Sequence, residues 1–228
     1  MSAWLELALA MGLFMLSHRI PAALGIKHSL VSGLGPRGYT AVFSIGSLAL
    51  LWWVILAAGR APHLPLWDQA HWHRWAVNLA MPLAIVLGSF GTAAPNPFAF
   101  EGRATGFDPD RPGIAGLTRQ PLLWALALWS GAHLLANGDL AHLIVFGPFV
   151  ALSLAGMPIV EARRRKAMGR AQWQAMTART SLVPAAALLS GHWRPKALPS
   201  WRRLAIAGLI WAGLWHLHAP LIGVWPAT

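Results

Sequence analysis

The chain contains no cysteine, has only 7 Asp+Glu among 228 residues, and carries charge on just 11% of its positions. The first absence excludes disulfides, thiolate nucleophiles, Cys-ligated zinc and Cys-anchored haem or iron–sulfur clusters. The low charge argues against a water-soluble domain, in which about a quarter of residues are charged. Also missing are an HExxH motif, any pair of histidines four residues apart, and a phosphate-cradling glycine loop. What is present is apolar: 56% of residues are hydrophobic, 14 are Trp, and the mean hydropathy is +0.51. The 18 Lys+Arg leave a formal charge of +11. A nucleic-acid binder of that charge is polar as well, so membrane lipid, not nucleic acid, is the expected partner.

A bilayer core takes about 20 mostly apolar residues per helix. Five stretches free of Asp, Glu, Lys and Arg meet that length: Gly38 to Gly59, Trp75 to Phe100, Gln120 to Gly138, Leu140 to Val160 and Leu204 to Thr228. A sixth, Ala3 to about Leu24, precedes them, with Glu6 inside it and Ser17-His18-Arg19 before Pro21. Its basic residue follows the apolar stretch, the reverse of a secretory signal, so it is read as a retained first span. Ser181 to Gly191 is about half a span long and is expected as an interfacial or re-entrant half-helix. The runs do not alternate as barrel strands do. The expected fold class is therefore all-α: one polytopic transmembrane bundle over 1–228, of six spans plus the half-helix.

Lys and Arg are retained on the cytoplasmic side of a membrane. Arg19, Lys27 and Arg37 follow the first span, Arg103, Arg111 and Arg119 follow the third, and ten more lie in 161–203, including Arg163-Arg164-Arg165-Lys166. Sixteen of the 18 basic residues thus share one face, against Arg60 and Arg74 on the other. The asymmetry predicts a cytoplasmic 161–203 loop and both termini outside the cytoplasm. Trp67, Trp72, Trp75 and Trp201 fall where interfacial anchors belong.

Ionisable and polar groups at membrane depth are costly and point to function or to hydrogen bonds between helices. In the fourth span Arg119, Leu126, Ser130, His133 and Asn137 recur in steps of 7, 4, 3 and 4, one face of a helix. Asn137-Gly138-Asp139 leaves room only for a tight reversal, so the fourth and fifth spans form an antiparallel hairpin. Of ten histidines, His18, His133, His142, His216 and His218 lie in or beside spans. An imidazole there serves either as a hydrogen-bond partner or as a ligand to metal or haem iron.

The passage from Gly113-Ile114-Ala115-Gly116-Leu117-Thr118-Arg119-Gln120-Pro121 through Ser130-Gly131-Ala132-His133-Leu134-Leu135-Ala136-Asn137-Gly138-Asp139 resembles the signature of the NnrU family. Ser17-His18-Arg19-Ile20-Pro21, Gly35-Pro36-Arg37-Gly38-Tyr39 and His218-Ala219-Pro220-Leu221-Ile222-Gly223-Val224 resemble its opening and ending. The resemblance implies a bacterial inner-membrane protein associated with nitrite and nitric oxide respiration, with other respiratory membrane proteins as candidate partners. A plant and cyanobacterial relative is similar to zeta-carotene isomerase, a b-type haem protein, which implies haem b here. By that resemblance His18 and His133 serve the iron, Arg119 meets a haem propionate or a lipid phosphate, and Ser130 and Asn137 orient the site. Gln120 stands where the family usually has histidine; it can replace a hydrogen bond but cannot titrate near neutral pH. Counted at 1.5 Å per residue, His18 lies about 21 Å in from the outer face and His133 about 20 Å in from the inner one. In a core of about 30 Å they then differ by roughly 10 Å in depth, which makes His218 and His142 rival partners of His133.

Three classes of function stay open. One is a haem protein that isomerises an apolar polyene under redox control. Another is a non-enzymatic assembly or signalling factor. The third is a methyltransferase-like enzyme, since Arg119-Gln120-Pro121 resembles the Arg-x-Pro of membrane methyltransferases that hold S-adenosylmethionine with a downstream acid, here Glu161.

Overall fold

The computed structural model describes residues 2–100 and 102–226; the last two residues of the expected closing span, 227 and 228, lie outside them. The fold is all-α. The helices are α1 (Ala3–Ala23), α2 (Ile26–Arg60), α3 (His71–Gly91), α4 (Ile114–Leu117), α5 (Pro121–Asn137), α6 (Leu140–Met168), α7 (Arg170–Thr177), α8 (Ala186–Leu189) and α9 (Trp201–Ile222). Five of them, α1, α2, α3, α6 and α9, are long and apolar enough to cross a membrane. The sixth expected span, α5, is not among them: its 17 residues give a length of about 25 Å, short of a core of about 30 Å. Among the described residues no sheet forms; Pro65 with Asp139 and Pro95 with Arg103 are isolated bridges.

The chain divides into two compact units. One comprises Met1–Asp68 and Gly138–Val145. In it α1, opened by the Ser2 side chain accepting from the Leu5 N–H, runs antiparallel to α2. Leu7, Ala10, Met11 and Phe14 are its buried stripe, at helical spacing, and Val54, Ala57 and Ala58 are buried on α2. Bulky residues such as Val42, Ile45 and Leu48 on α2 are exposed, which suits a surface bathed in lipid rather than water.

The other unit comprises Gln69–Asn137 and Phe146–Thr228. Here α3 packs on α5 and α9. Arg203 at the start of α9 donates to the carbonyls of Ser89, Phe90 and Thr92 at the end of α3. Asn78 near the start of α3 donates to the Pro226 carbonyl beyond the end of α9, so these two helices are antiparallel. The α5–α6 pairing is also antiparallel: the contact partner number falls from 161 at Arg119 to 149 at Trp129 and 146 at His133. The expected hairpin is present, with α5 beside α6 from the Arg119–Glu161 pair to the His133–Phe146 contact.

Several boundaries differ from the sequence reading. The stretch between the first two spans is not a loop but helix from Ile26, after a two-residue reversal through left-handed Gly25 (φ 69°). The break falls instead at Gly35 (φ 71°), with Pro36 following as the first residue of a fresh helical run. The span expected to reach Phe100 stops at Gly91, because Pro95 and Pro97 cannot supply helical N–H groups. The basic run Arg163–Lys166 continues α6 to Met168 instead of opening a loop. The half-helix expected over Ser181 to Gly191 is reduced to the single turn α8.

Candidate functional site

The most highly organised polar cluster lies at the foot of the α5–α6 hairpin. Arg119 is not the first residue of the helical stripe; it sits in the bend before α5, which begins at Pro121. Its guanidinium grips Glu161 of α6 with two bonds, Nε to Oε1 at 2.5 Å and Nη2 to Oε2 at 2.9 Å. Nη1 donates to Thr180 Oγ1 at 3.2 Å, and the Trp173 ring lies 5.7 Å from the cation. Both charged side chains are about six-sevenths buried, at 14% and 15% exposure. Such two-toothed pairing fixes geometry as well as charge.

The residues around Arg119 fasten the same bend from both sides. Thr118 Oγ1 donates to the Leu182 carbonyl and Trp124 Nε1 to the same oxygen. Buried Gln120 donates from Nε2 to the Phe98 carbonyl at 2.8 Å and accepts at Oε1 from the Phe100 N–H at 3.0 Å. Asn96 Nδ2 donates to the Arg119 carbonyl. Phe98, fully buried, stands edge-on to Phe107 and Trp173. Among the described residues no buried side-chain nitrogen or oxygen lacks a hydrogen-bond partner. Chemically this is a saturated clamp. Its acid and base are engaged with each other, and it holds the entrance of the hairpin in place.

Above it on α5, the expected polar face consists of groups bonded to their own helix. Ser130 Oγ donates to the Leu126 carbonyl and Asn137 Nδ2 to the His133 carbonyl, each four residues back. His133 Nδ1 lies 2.8 Å from the Trp129 carbonyl. A carbonyl only accepts, so Nδ1 is the donor in this bond. The imidazole lies among aromatic rings, 5.8 Å from Trp129 and 5.3 Å from Phe146 of α6. His218 of α9 is anchored likewise, Nδ1 to the Val224 carbonyl at 2.6 Å.

In the other unit His18 repeats the arrangement. Its Nδ1 is 2.8 Å from the Phe14 carbonyl, and Phe14 and Phe43 lie 4.6 and 5.2 Å from its ring. Ser47 Oγ is 3.4 Å from its Nε2. Near the start of α6, buried Asp139 accepts from the His142 backbone N–H at 3.1 Å and faces His142 Nδ1 at 2.6 Å, with His63 3.9 Å away. The backbone there is tied to the 64–66 loop, Leu66 N–H to the Gly138 carbonyl and Leu140 N–H to the Leu64 carbonyl. Glu6, the acid within the first span, pairs with Arg60 and accepts from Trp53 Nε1.

The four histidines weighed as iron ligands, His18, His133, His142 and His218, therefore have Nδ1 held by an oxygen acceptor. Metal-ligating histidines almost always show this anchoring, because it fixes the tautomer and aims Nε2. No group of three or more His, Asp or Glu positioned to hold a metal ion occurs among the described residues. Thr180, Trp173 and Asn96 had no signal in the sequence; Glu161 had one, as the only acid beyond the fourth span on the face that carries Arg119.

These features define a multi-pass α-helical membrane protein with a clamped helical hairpin. Its family is equally plain. A family model described as NnrU protein matches residues 6–226, and the chain belongs to the NnrU family. No curated protein and no solved structure matches it.

Proposed function

We propose that this NnrU-family protein is a b-type haem protein of the bacterial inner membrane, acting in nitrite and nitric oxide respiration with both termini outside the cytoplasm. The observation that carries the reading is the anchoring of His133 and His18, each with Nδ1 on a backbone carbonyl and its ring among aromatic side chains. The donor set fits the group. Imidazole nitrogen suits iron, and the porphyrin supplies four nitrogens itself, so one or two histidines suffice without a three-ligand cluster. Reduced haem iron, when bound, supplies electron density of the kind that eases rotation about a polyene double bond. The protein's part is to aim each ring and shield it: Trp129 and Phe146 do so for His133, and, within the other unit, Phe14 and Phe43 for His18. Arg119, gripped by Glu161, contributes by fixing the foot of α5.

Expression with ample haem supply, followed by an absorption spectrum of the detergent-purified protein, tests this directly. A Soret band that weakens in His133→Ala supports the reading, and absence of any Soret band ends it. Undiminished haem in His133→Ala moves the ligand role to His218 or His142. Rescue of a denitrification-deficient deletion strain by a His18→Ala, His133→Ala double variant favours the assembly or signalling role.

One observation favours a second reading. Arg119 and Glu161, the residue types of the methyltransferase resemblance, do meet. Calorimetric titration with S-adenosylmethionine decides it, and an absence of binding heat removes it.

A further inference from the structure

A second polar feature of the larger unit takes no part in that reading. The loop leading into α9 folds over the α4–α8 pair and encloses an open cavity of about 320 Å³, lined by Asp110, Arg179, His192, Trp193, Arg194 and Lys196. Three cations thus share one cavity with a single acid. Asp110 is already bonded to Arg179 at 3.0 Å, so the charges of Arg194 and Lys196 are left without a carboxylate there. The loop that carries them is built rather than slack. Gly191 turns it at φ 76°, the Trp193 N–H donates to the Ala187 carbonyl, and the Trp193 ring lies flush on Gly116, where a Cβ would come within 2.3 Å of it. His192 is steered by Ser190 Oγ at 2.6 Å. On either side along the chain, Leu189 and Leu198 are 84% and 93% exposed.

We propose that this cavity holds the phosphate of an anionic phospholipid headgroup. Its size is near the lower end of the roughly 300–1,000 Å³ typical of ligand pockets, room for a headgroup but not for acyl chains. Leu189 and Leu198 offer the chains an apolar surface outside it. A planar guanidinium, an ammonium and a Trp at the interface form the donor set that phosphate diesters take in basic pockets of membrane proteins.

The full chain in uncharged detergent, titrated with phosphatidylglycerol, phosphatidylcholine or glycerol phosphate and read by native mass spectrometry, tests the proposal. One tight phosphatidylglycerol site is expected, with phosphatidylcholine and glycerol phosphate each at least about a hundredfold weaker. An Arg194→Gln, Lys196→Gln variant should weaken that site about thirtyfold, the factor expected for two basic residues at an anionic lipid surface. An Arg163→Gln, Arg165→Gln variant, equal in charge and changing two exposed residues of α6, should change it less than about threefold. Equal losses in the two variants would mean diffuse attraction and overturn the site. Phosphatidylcholine binding as tightly as phosphatidylglycerol would overturn the anionic specificity, and glycerol phosphate binding as tightly would reassign the cavity to a soluble phosphate compound. Both variants change exposed residues, so melting temperatures equal to the parent's confirm that folding is not what changed.

Discussion

Replacing Glu161 by glutamine keeps the side chain's shape and removes its charge, which isolates the worth of the Arg119 pair. The guanidinium stays protonated in any accessible pH range, so the variant retains a cation at 14% side-chain exposure whose counter-charge is gone. One of the two oxygens that accept from Nε and Nη2 becomes an NH₂, a donor facing a donor. The remaining amide oxygen, Thr180 Oγ1 and the Trp173 face are left in support. Breaking a buried pair by removing one partner costs about 3–5 kcal/mol; the residual exposure of both groups places this one near the lower figure, about 3 kcal/mol. At about 2–4 °C per kcal/mol for a chain of this length, the melting temperature should fall by about 6–12 °C. Intrinsic Trp fluorescence of the detergent-solubilised protein, heated at one fixed rate, reads it. Glu6→Gln is the control: Arg60 is half exposed, and exposed pairs of this kind contribute little to stability. Arg119→Met combined with Glu161→Gln should recover most of the loss, since no unpaired charge is left. A Glu161→Gln shift no larger than that of Glu6→Gln, or a double variant no more stable than the single, would refute the reasoning.

Gly116→Ala should lower stability by about 1–3 kcal/mol through overpacking, because the new methyl group would lie 2.3 Å from the Trp193 ring; Trp193→Leu in the same chain should relieve it in the same melting assay. Gln120→Ala strips partners from the Phe98 carbonyl and the Phe100 N–H, at about 1–3 kcal/mol per buried group left unsatisfied, and hydrogen exchange should quicken first at residues 96–100. The absence of cysteine makes the native chain its own background for topology. Ser2→Cys should react with a membrane-impermeant maleimide in intact spheroplasts and Arg165→Cys should not, and the opposite pattern would invert the proposed orientation.

Membrane depth was legible in the sequence because lipid demands about 20 apolar residues per crossing, and each of the six expected runs became a helix. The hairpin was legible for a related reason: Asn137-Gly138-Asp139 is too short to do anything but reverse the chain. Helix ends were less so, since hydropathy marks where lipid lies and not where the backbone stops being helical. Arg163–Lys166 are charged yet remain in α6, and Thr92–Phe100 are mostly apolar yet leave α3. The clamp was the hardest part to read. Its partners are separated by 42 residues from Arg119 to Glu161 and 61 from Arg119 to Thr180, and helical periodicity carries no information about such pairings. The same periodicity placed Arg119 on the helix face with His133, whereas Pro121 starts the helix two residues later.

The brevity of α5 bears on the membrane as well as on the protein. A helix of 17 residues, about 25 Å long, is about 5 Å shorter than a hydrocarbon layer of about 30 Å. The helix cannot lengthen, and its lower end is fixed by Arg119 and Gln120 to neighbours that do not let it slide. A bilayer meeting both of its ends would have to thin by about 5 Å around the hairpin, at a fraction of a kcal/mol per ångström. Shorter acyl chains should therefore raise the melting temperature of the reconstituted protein and longer ones lower it.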